Sequence, residues 1–448
     1  MSSYRRLALL VALSLCCALP ARADVAAPPV DPAIAAAIAR IDAANLRATD
    51  TRLVAFGTRS TFSENAGPNR GVFAARAYLF ARFSQIARTS NGRLTVALDT
   101  YTQPADPAKR IPRDVVISSV IATLKGDDPA APTYVMSSHY DSRNSDNDDG
   151  VHDAPGADDN GSAASAVLEA ARVLAPMPMH GTVIFACFDG EEQGSFGATH
   201  FAQTLKAGHA DVEADLNNDI IGASVGDDGV KRDDTVRIFS EAIPVGVTAA
   251  RVNTLGSQND SPSNELARYT KETGDAYGEG LTGMLIWRAD RFLRGGDQES
   301  FNAQGFAALR FTEMRETFAH QHQNVRVENG LQYGDLLQFV DFDYLAKVTR
   351  YNAAVLASLA LAPATPKVSV DVKQLTNDTT LFWDPVPRAV RYEVVRRLTT
   401  EPTWTAVQDA GSATRITLPV SKDQWQFGVR AVDAQGHRSQ AGFPTPVR

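Results

Sequence analysis

The chain is poor in cysteine, with three in 448 residues, and two of these, Cys16 and Cys17, fall in its first twenty. If that leader is removed only Cys187 is left, so no internal disulfide can form and the fold must stand on its core or on bound metal. Cys187 lies inside the apolar run TVIFACF, where a thiol reads as a small buried hydrophobe rather than a nucleophile. No block of lysine or arginine stands out, and a net charge of −8 with a pI near 5.6 argues against a phosphate-backbone partner. Internal repeats and long low-complexity tracts are absent as well.

Long apolar runs are also missing. The longest near the N-terminus, Leu7 to Leu19, is short for a membrane span. Arg5 and Arg6 precede it, and Pro20 with Ala21-Arg22-Ala23 follows, which together read as a secretory signal peptide over residues 1–23. The paired arginines also permit a twin-arginine route. The expected mature chain begins near Asp24 and is periplasmic or secreted. Losing three arginines and no acid would move its charge from −8 to −11.

What is present is a soluble globular composition, 44% hydrophobic and 21% charged, long enough for more than one domain. Helical patterns cover Pro32 to Arg47, Arg70 to Ile86, Gly161 to Leu174 and Asp341 to Leu361. Strand patterns cover DVVISSVIATLKG, PTYVMSSHYDS, GTVIFACF, DLNNDIIG, TVRIFSE and FAALRFTE. This alternation predicts an α/β fold with a mixed, mostly parallel sheet flanked by helices over residues 24–362. After a short linker at Pro363, Thr365 and Pro366 the helical patterns stop. Residues 367–448 read as a small all-β sandwich with its own core.

Four clusters of acids and histidine sit at the ends of predicted strands, where open α/β sheets place their sites. They are His139 with Asp141 in SSHYDS, Asp158 and Asp159 in PGADDNGS, Glu191 and Glu192 in FDGEEQGSFGA, and Asp219 in NNDIIG. His320 and His322 follow in FAHQHQN. Taken singly, each has an ordinary structural reading: an N-cap, a hydrogen-bonding histidine, a solvated acidic turn. Adjacent glutamates repel, however, and desolvating them is costly unless something cationic compensates. Mixed imidazole and carboxylate ligation suits zinc, and two ions need about five side-chain ligands with one carboxylate shared. One glutamate would then bind a dication while its neighbour faces a metal-bound water as a base.

The order and wording of these clusters resemble the family-28 metallopeptidases, the co-catalytic zinc exopeptidases related to bacterial leucyl aminopeptidases, from about residue 35 to 362. The resemblance implies two zinc ions per chain. His139, Asp158, Glu192, Asp219 and His320 would be the ligands, with Asp158 bridging and Asp159 shaping the turn. It further implies Glu191 as general base and Asp141 as the group orienting His139. His322 is an alternative to His320, which is preferred because Asn324 lies four residues on. Where relatives tend to carry Asp-His, this chain has Asp297-Gln298. The implied activity is hydrolysis of peptide bonds, most simply as an aminopeptidase. The alternatives are a carboxypeptidase, a glutaminyl cyclase-like acyltransferase, and a non-catalytic binding protein on the same fold. Trp383 before Asp-Pro, the strand around Tyr392 and FGVRAVDAQGHRS resemble a fibronectin type III module. The segment SRNSDNDDGVHDA is acidic and reads as a solvated lid in preference to a further cation site.

Overall fold

The computed structural model describes residues 27–63, 66–373 and 375–447. The expected leader, residues 1–23, lies outside the described residues. Eight strands form the main sheet: β1 (Leu94–Gln103), β2 (Val115–Leu124), β3 (Thr133–His139), β4 (Thr182–Phe188), β5 (Val212–Asn218), β6 (Thr235–Ser240), β7 (Thr282–Ile286) and β8 (Ala308–Glu313). Their spatial order is β1-β2-β4-β3-β5-β8-β6-β7. The central strands β4, β3, β5 and β8 run parallel, β1 and β2 pair antiparallel on one side, and β6 runs antiparallel to β8 on the other. This is the mixed, mostly parallel sheet expected from the alternating pattern.

The continuous apolar run of β4 is explained by cover on both faces. Val183, Phe185 and Cys187 join the core on one side, while Ile184, Ala186 and Phe188 join the core on the other. The first core is built with α1 (Pro32–Ile38), α2 (Ala43–Val54), α3 (Gly71–Ala87) and α4 (Ala163–Leu174). The second takes α5 (Phe196–Ala207). Then follow α6 (Ala249–Leu255), α7 (Pro262–Tyr277), α8 (Gln298–Ala303) and α9 (Phe342–Leu361). Of these, α7 and α9 pack on the first side, and α8 brings Phe301 to the second. Burial pushes the Cys187 thiol up to about 12, which leaves it inert at neutral pH.

The helical pattern from Pro32 to Arg47 is two helices. Asp31 accepts the Ala33 and Ile34 N–H groups to start α1, and Asp42 accepts the Ala44 N–H to start α2. Each aspartate satisfies donors that a helix start leaves open, so the chain turns between them. The strand and helix patterns read from sequence do not include β1, α5 or α7. Among the described residues, no helix is long and apolar enough to cross a membrane.

After a small hairpin of β9 (Arg326–Glu328) and β10 (Leu331–Tyr333), the C-terminal region begins. It comprises β11 (Val368–Asp371), β12 (Thr379–Trp383), β13 (Arg391–Leu398), β14 (Ala406–Gly411), β15 (Arg415–Leu418), β16 (Trp425–Val432) and β17 (Thr445–Val447). These form a four-stranded sheet, β15-β12-β11-β17, and a three-stranded one, β14-β13-β16. Leu381 and Trp383 from one sheet and Tyr392, Val394, Phe427 and Val429 from the other share a core. This core does not stand apart from the α/β region. Arg397 forms a buried ion pair with Asp260, Arg430 a half-buried one with Glu272, and His437 Nε2 lies 2.9 Å from Asp31 Oδ2, so polar contacts join the two.

Candidate metal centre

The chemistry gathers at the carboxyl ends of the parallel strands. His139 ends β3, Glu191 and Glu192 follow β4, Asp219 follows β5, and the loop after β8 brings in His322. His139 Nε2 lies 3.2 Å from Asp159 Oδ1, 3.7 Å from Asp219 Oδ1 and 3.8 Å from Glu191 Oε2. His322 Nε2 lies 2.9 Å from Asp159 Oδ2 and 3.0 Å from Glu192 Oε2. Asp159 therefore presents one oxygen to each histidine. Two groups result, His139–Glu191–Asp219 and Asp159–Glu192–His322, each with ligand atoms within 4.8 Å of one another.

Two expected ligands are elsewhere. Asp158 turns away, and its Oδ1 accepts the Gly222 N–H at 2.7 Å, with burial raising its carboxyl to about 6. The reason lies in the turn over Ala157–Ser162. Asp335 accepts the N–H groups of both Asp158 and Asp159, and the Asp159 backbone leaves the helical region (φ −107°, ψ 87°), so neighbouring side chains diverge. The carboxylate that lies between the two histidines is thus that of Asp159, while that of Asp158 faces Gly222. His320 instead stacks its ring on Phe339, with centroids 3.6 Å apart. His322 takes a left-handed backbone, φ +52°, that costs about 1–3 kcal/mol and aims its imidazole into the cluster. Asn324, whose spacing favoured His320, accepts the Ser145 N–H at 3.2 Å and so ties this loop to the acidic segment. Within that segment Asp149 accepts the N–H groups of Val151 and His152, a self-capped turn.

Comparison with known proteins then places the chain. The model of peptidase family M28 matches residues 119–330. A Leptosphaeria maculans protein described as "Probable zinc metalloprotease" is 43% identical over 425 residues, spanning 94% of this chain and 98% of its own. A Pyricularia oryzae protein of the same description is 42% identical, spanning 93% of this chain and 85% of its own. The chain belongs to peptidase family M28. It is a zinc metallopeptidase. Among solved structures, the LapA aminopeptidase of Legionella pneumophila shares the fold with a TM-score of 0.52 at 18% identity, over 75% of this chain and 76% of that one. LapB of the same organism gives 0.53 at 17% identity, over 74% and 76%. These two likenesses bear on the fold.

The donor set in this M28 chain fits zinc on physical grounds. His139, Asp159, Glu192 and Asp219 are each at most 5% exposed, yet His139 Nε2, Glu192 Oε1 and Asp219 Oδ1 have no hydrogen-bond partner among the described residues. Buried polar atoms left unpaired are costly, and a cation among them removes that cost. Burial opposes a charged imidazole at His139, but Glu191, Asp141, Asp159 and Asp219 outweigh it and hold its pKa well above the usual range. Burial, with Asp219, Asp297 and Glu192, likewise pushes Glu191 well above the carboxylate range against the pull of His139. The His139 shift reports the carboxylates around it, a surplus of negative charge that a dication would meet, while that of Glu191 comes first from burial.

Supporting groups hold the donors in place. His139 Nδ1 lies 3.2 Å from the Asp141 carbonyl, and as donor there it leaves Nε2 free to face the cluster. The Asp141 carboxylate accepts the N–H groups of Glu191 and Glu192, each at 3.2 Å, and fixes the turn that carries both. Two arginines not anticipated from sequence complete the arrangement. Arg310 Nη1 contacts Asp219 Oδ2 at 2.6 Å, and Arg143 Nε contacts Glu192 Oε2 at 3.0 Å. Arg310 had a readable signal, because an arginine inside the apolar strand FAALRFTE must be paired if the strand is buried.

Proposed function

We propose that this protein is an exported zinc exopeptidase, most simply an aminopeptidase, with two zinc ions held by His139, Asp159, Glu192, Asp219 and His322. The observation that carries the reading is Asp159, which offers one carboxylate oxygen to each histidine at 3.2 and 2.9 Å. Zinc held there supplies Lewis-acid polarisation of the scissile carbonyl and a lowered pKa for attacking water. Glu191 is the general base. Its side chain is 14% exposed and faces the cleft beside the ligands, so it is placed to take a proton and return it to the leaving amine. Asp141 orients His139, Arg310 holds Asp219 and Arg143 holds Glu192; none of these three needs to touch substrate.

Asp159, Glu192, Asp219 and His322 line an open cleft of about 1170 Å³, and a chain end reaches its largely buried carboxylates more readily than a mid-chain segment does. Export rests on the leader pattern at residues 1–23. The likeness of the C-terminal sheets to a fibronectin type III module rests on their two-sheet pairing and on Trp383 packed at 5.4 Å against Tyr392.

The test is a panel of amino-terminal and carboxyl-terminal reporter peptides, with and without chelator, beside zinc analysis. Release from amino-terminal reporters, lost with chelator and accompanied by two zinc per chain, is the expected result. Release only from carboxyl-terminal reporters would make it a carboxypeptidase. One zinc with cyclisation of an N-terminal glutamine would make it a cyclase.

A further inference from the structure

The floor of the cleft is acidic, but its walls are not. Outside the cluster carboxylates, the lining includes Lys109, Arg110, Arg143, Arg291 and Arg294 against one acid, Glu299. The cations come from separate stretches of chain. Lys109 and Arg110 belong to the turn between β1 and β2, and Arg291 and Arg294 to the loop between β7 and α8. Their neutralisation is incomplete. Arg110 is exposed, has no carboxylate partner among the described residues, and reaches only the Glu192 carbonyl at 3.4 Å. Glu316 is shared by Arg237, Arg291 and Arg294 at 2.8, 3.0 and 2.7 Å, three guanidiniums on one carboxylate. Asp290 takes part of Arg291, while Arg294 has Glu316 as its one acidic partner among the described residues, lies 5.9 Å from the Phe318 ring and remains 31% exposed. Once zinc balances the cluster carboxylates, the walls above it carry net positive charge.

We propose that these walls select substrates bearing a carboxylate beyond the scissile bond, received by Arg110 and Arg294. This rests on the exopeptidase reading above and names the substrate class for that site. The guanidinium forks suit a planar carboxylate, which arrives either as an aspartate or glutamate side chain or as the terminal carboxylate of a short peptide. Leu293 and Phe318, 94% and 64% exposed, line the same cleft and offer apolar surface to the neighbouring backbone.

Four reporter peptides separate the two sources, using the zinc-loaded full chain. They share one N-terminal residue and carry aspartate or asparagine at the next position, each as free acid or C-terminal amide. A charge-assisted contact predicts kcat/KM about 10-fold or more higher for the preferred carboxylate than for its neutral isostere, and a smaller ratio in added salt. Aspartate above asparagine assigns the side chain, and free acid above amide assigns the terminus. Arg110→Gln and Arg294→Gln should each pull that ratio toward one. Because the ratio is taken within each variant, partial loss of folded enzyme cancels. Ratios within about twofold of one for the wild type overturn the inference while leaving peptide hydrolysis intact. Failure to cleave any of the four at full zinc loading would instead remove the exopeptidase reading, and this inference with it.

Discussion

Arg397 and Asp260 form an ion pair in which each side chain is about 1% exposed, one from the C-terminal sheets and one from the α/β region. Arg268 joins them, donating to Glu265 at 2.6 Å and to the Pro402 carbonyl at 2.7 Å. The Arg268 guanidinium also lies 4.8 Å from the Trp287 ring and 5.7 Å from that of Trp404. Removing one partner of a buried pair leaves the other charge uncompensated, so Arg397→Ala should cost about 3–5 kcal/mol. Urea unfolding followed by tryptophan fluorescence measures this. Asp260→Asn should be similarly damaging, and the double variant should cost clearly less than the sum. Additive costs would mean that the pair contributes nothing as a pair.

The same network bears on removal of residues 363–448. That cut takes Arg397 from Asp260 and Arg430 from Glu272, and removes the Trp404 ring that faces the Arg268 guanidinium. The shortened chain should be markedly less stable than the full one, read as a lower denaturation midpoint at equal zinc. An unchanged midpoint would show that the C-terminal sheets are a passive attachment.

His322→Ala should lower bound zinc from two toward one, whereas His320→Ala should leave it near two. The ground is geometric. His322 Nε2 sits 2.9 Å from Asp159, while the His320 ring packs on Phe339. Inductively coupled plasma analysis of dialysed variants gives the ranking, and the reverse order would move the ligand to His320.

Acid should act through Glu316. Burial alone would raise its carboxyl, but Arg291, Arg294, Arg310 and Arg237 outweigh it and lower the value from 4.5 to about 2. A carboxyl depressed on folding stabilises the protein above its unfolded value, and that stability is lost as pH falls toward the folded value. The shift corresponds to about 3 kcal/mol at most. Metal-free wild type should therefore exceed Glu316→Gln in stability at pH 7. The gap should hold down to about pH 5 and close between there and pH 2. Urea midpoints along that series decide, and a gap independent of pH would exclude the ion pairs as its source.

The sheet and the strand-end position of the site were legible because both follow from local pattern. The run TVIFACF demanded cover on two faces, and acids and histidines recurred at strand ends. What escaped depended on distant contacts. Whether Asp158 or Asp159 faces the cluster is set partly by Asp335, a residue far along the chain that receives both of their N–H groups. The choice between His320 and His322 turned on one left-handed residue and on Phe339, neither visible in a spacing argument. The C-terminal strands were readable as a sandwich, yet the charges that dock them on the α/β region pair residues remote in sequence. A linker rich in proline says nothing about that docking.

Glu191 and Glu192 are neighbours of identical chemistry for which the geometry supports different work. The Asp141 carboxylate accepts both of their N–H groups, so the backbone of the pair is fixed and only the side chains differ in direction. Glu192 Oε2 meets His322 at 3.0 Å and Arg143 at 3.0 Å, and its other oxygen is a buried atom without a partner. Glu191 is the more exposed and no closer than 3.8 Å to His139. Glu191→Gln keeps the shape but cannot accept a proton, so kcat should fall about 10²–10⁴-fold with zinc still near two. Glu192→Gln removes a charged donor and should weaken zinc binding at the His322 side, with activity recovering in part as zinc is added. Metal analysis beside single-substrate kinetics on the two purified variants separates the roles. A fully active Glu191→Gln, or one that loses zinc more readily than Glu192→Gln, would make Glu191 a ligand of the His139–Asp219 group and leave the proton transfer to another residue.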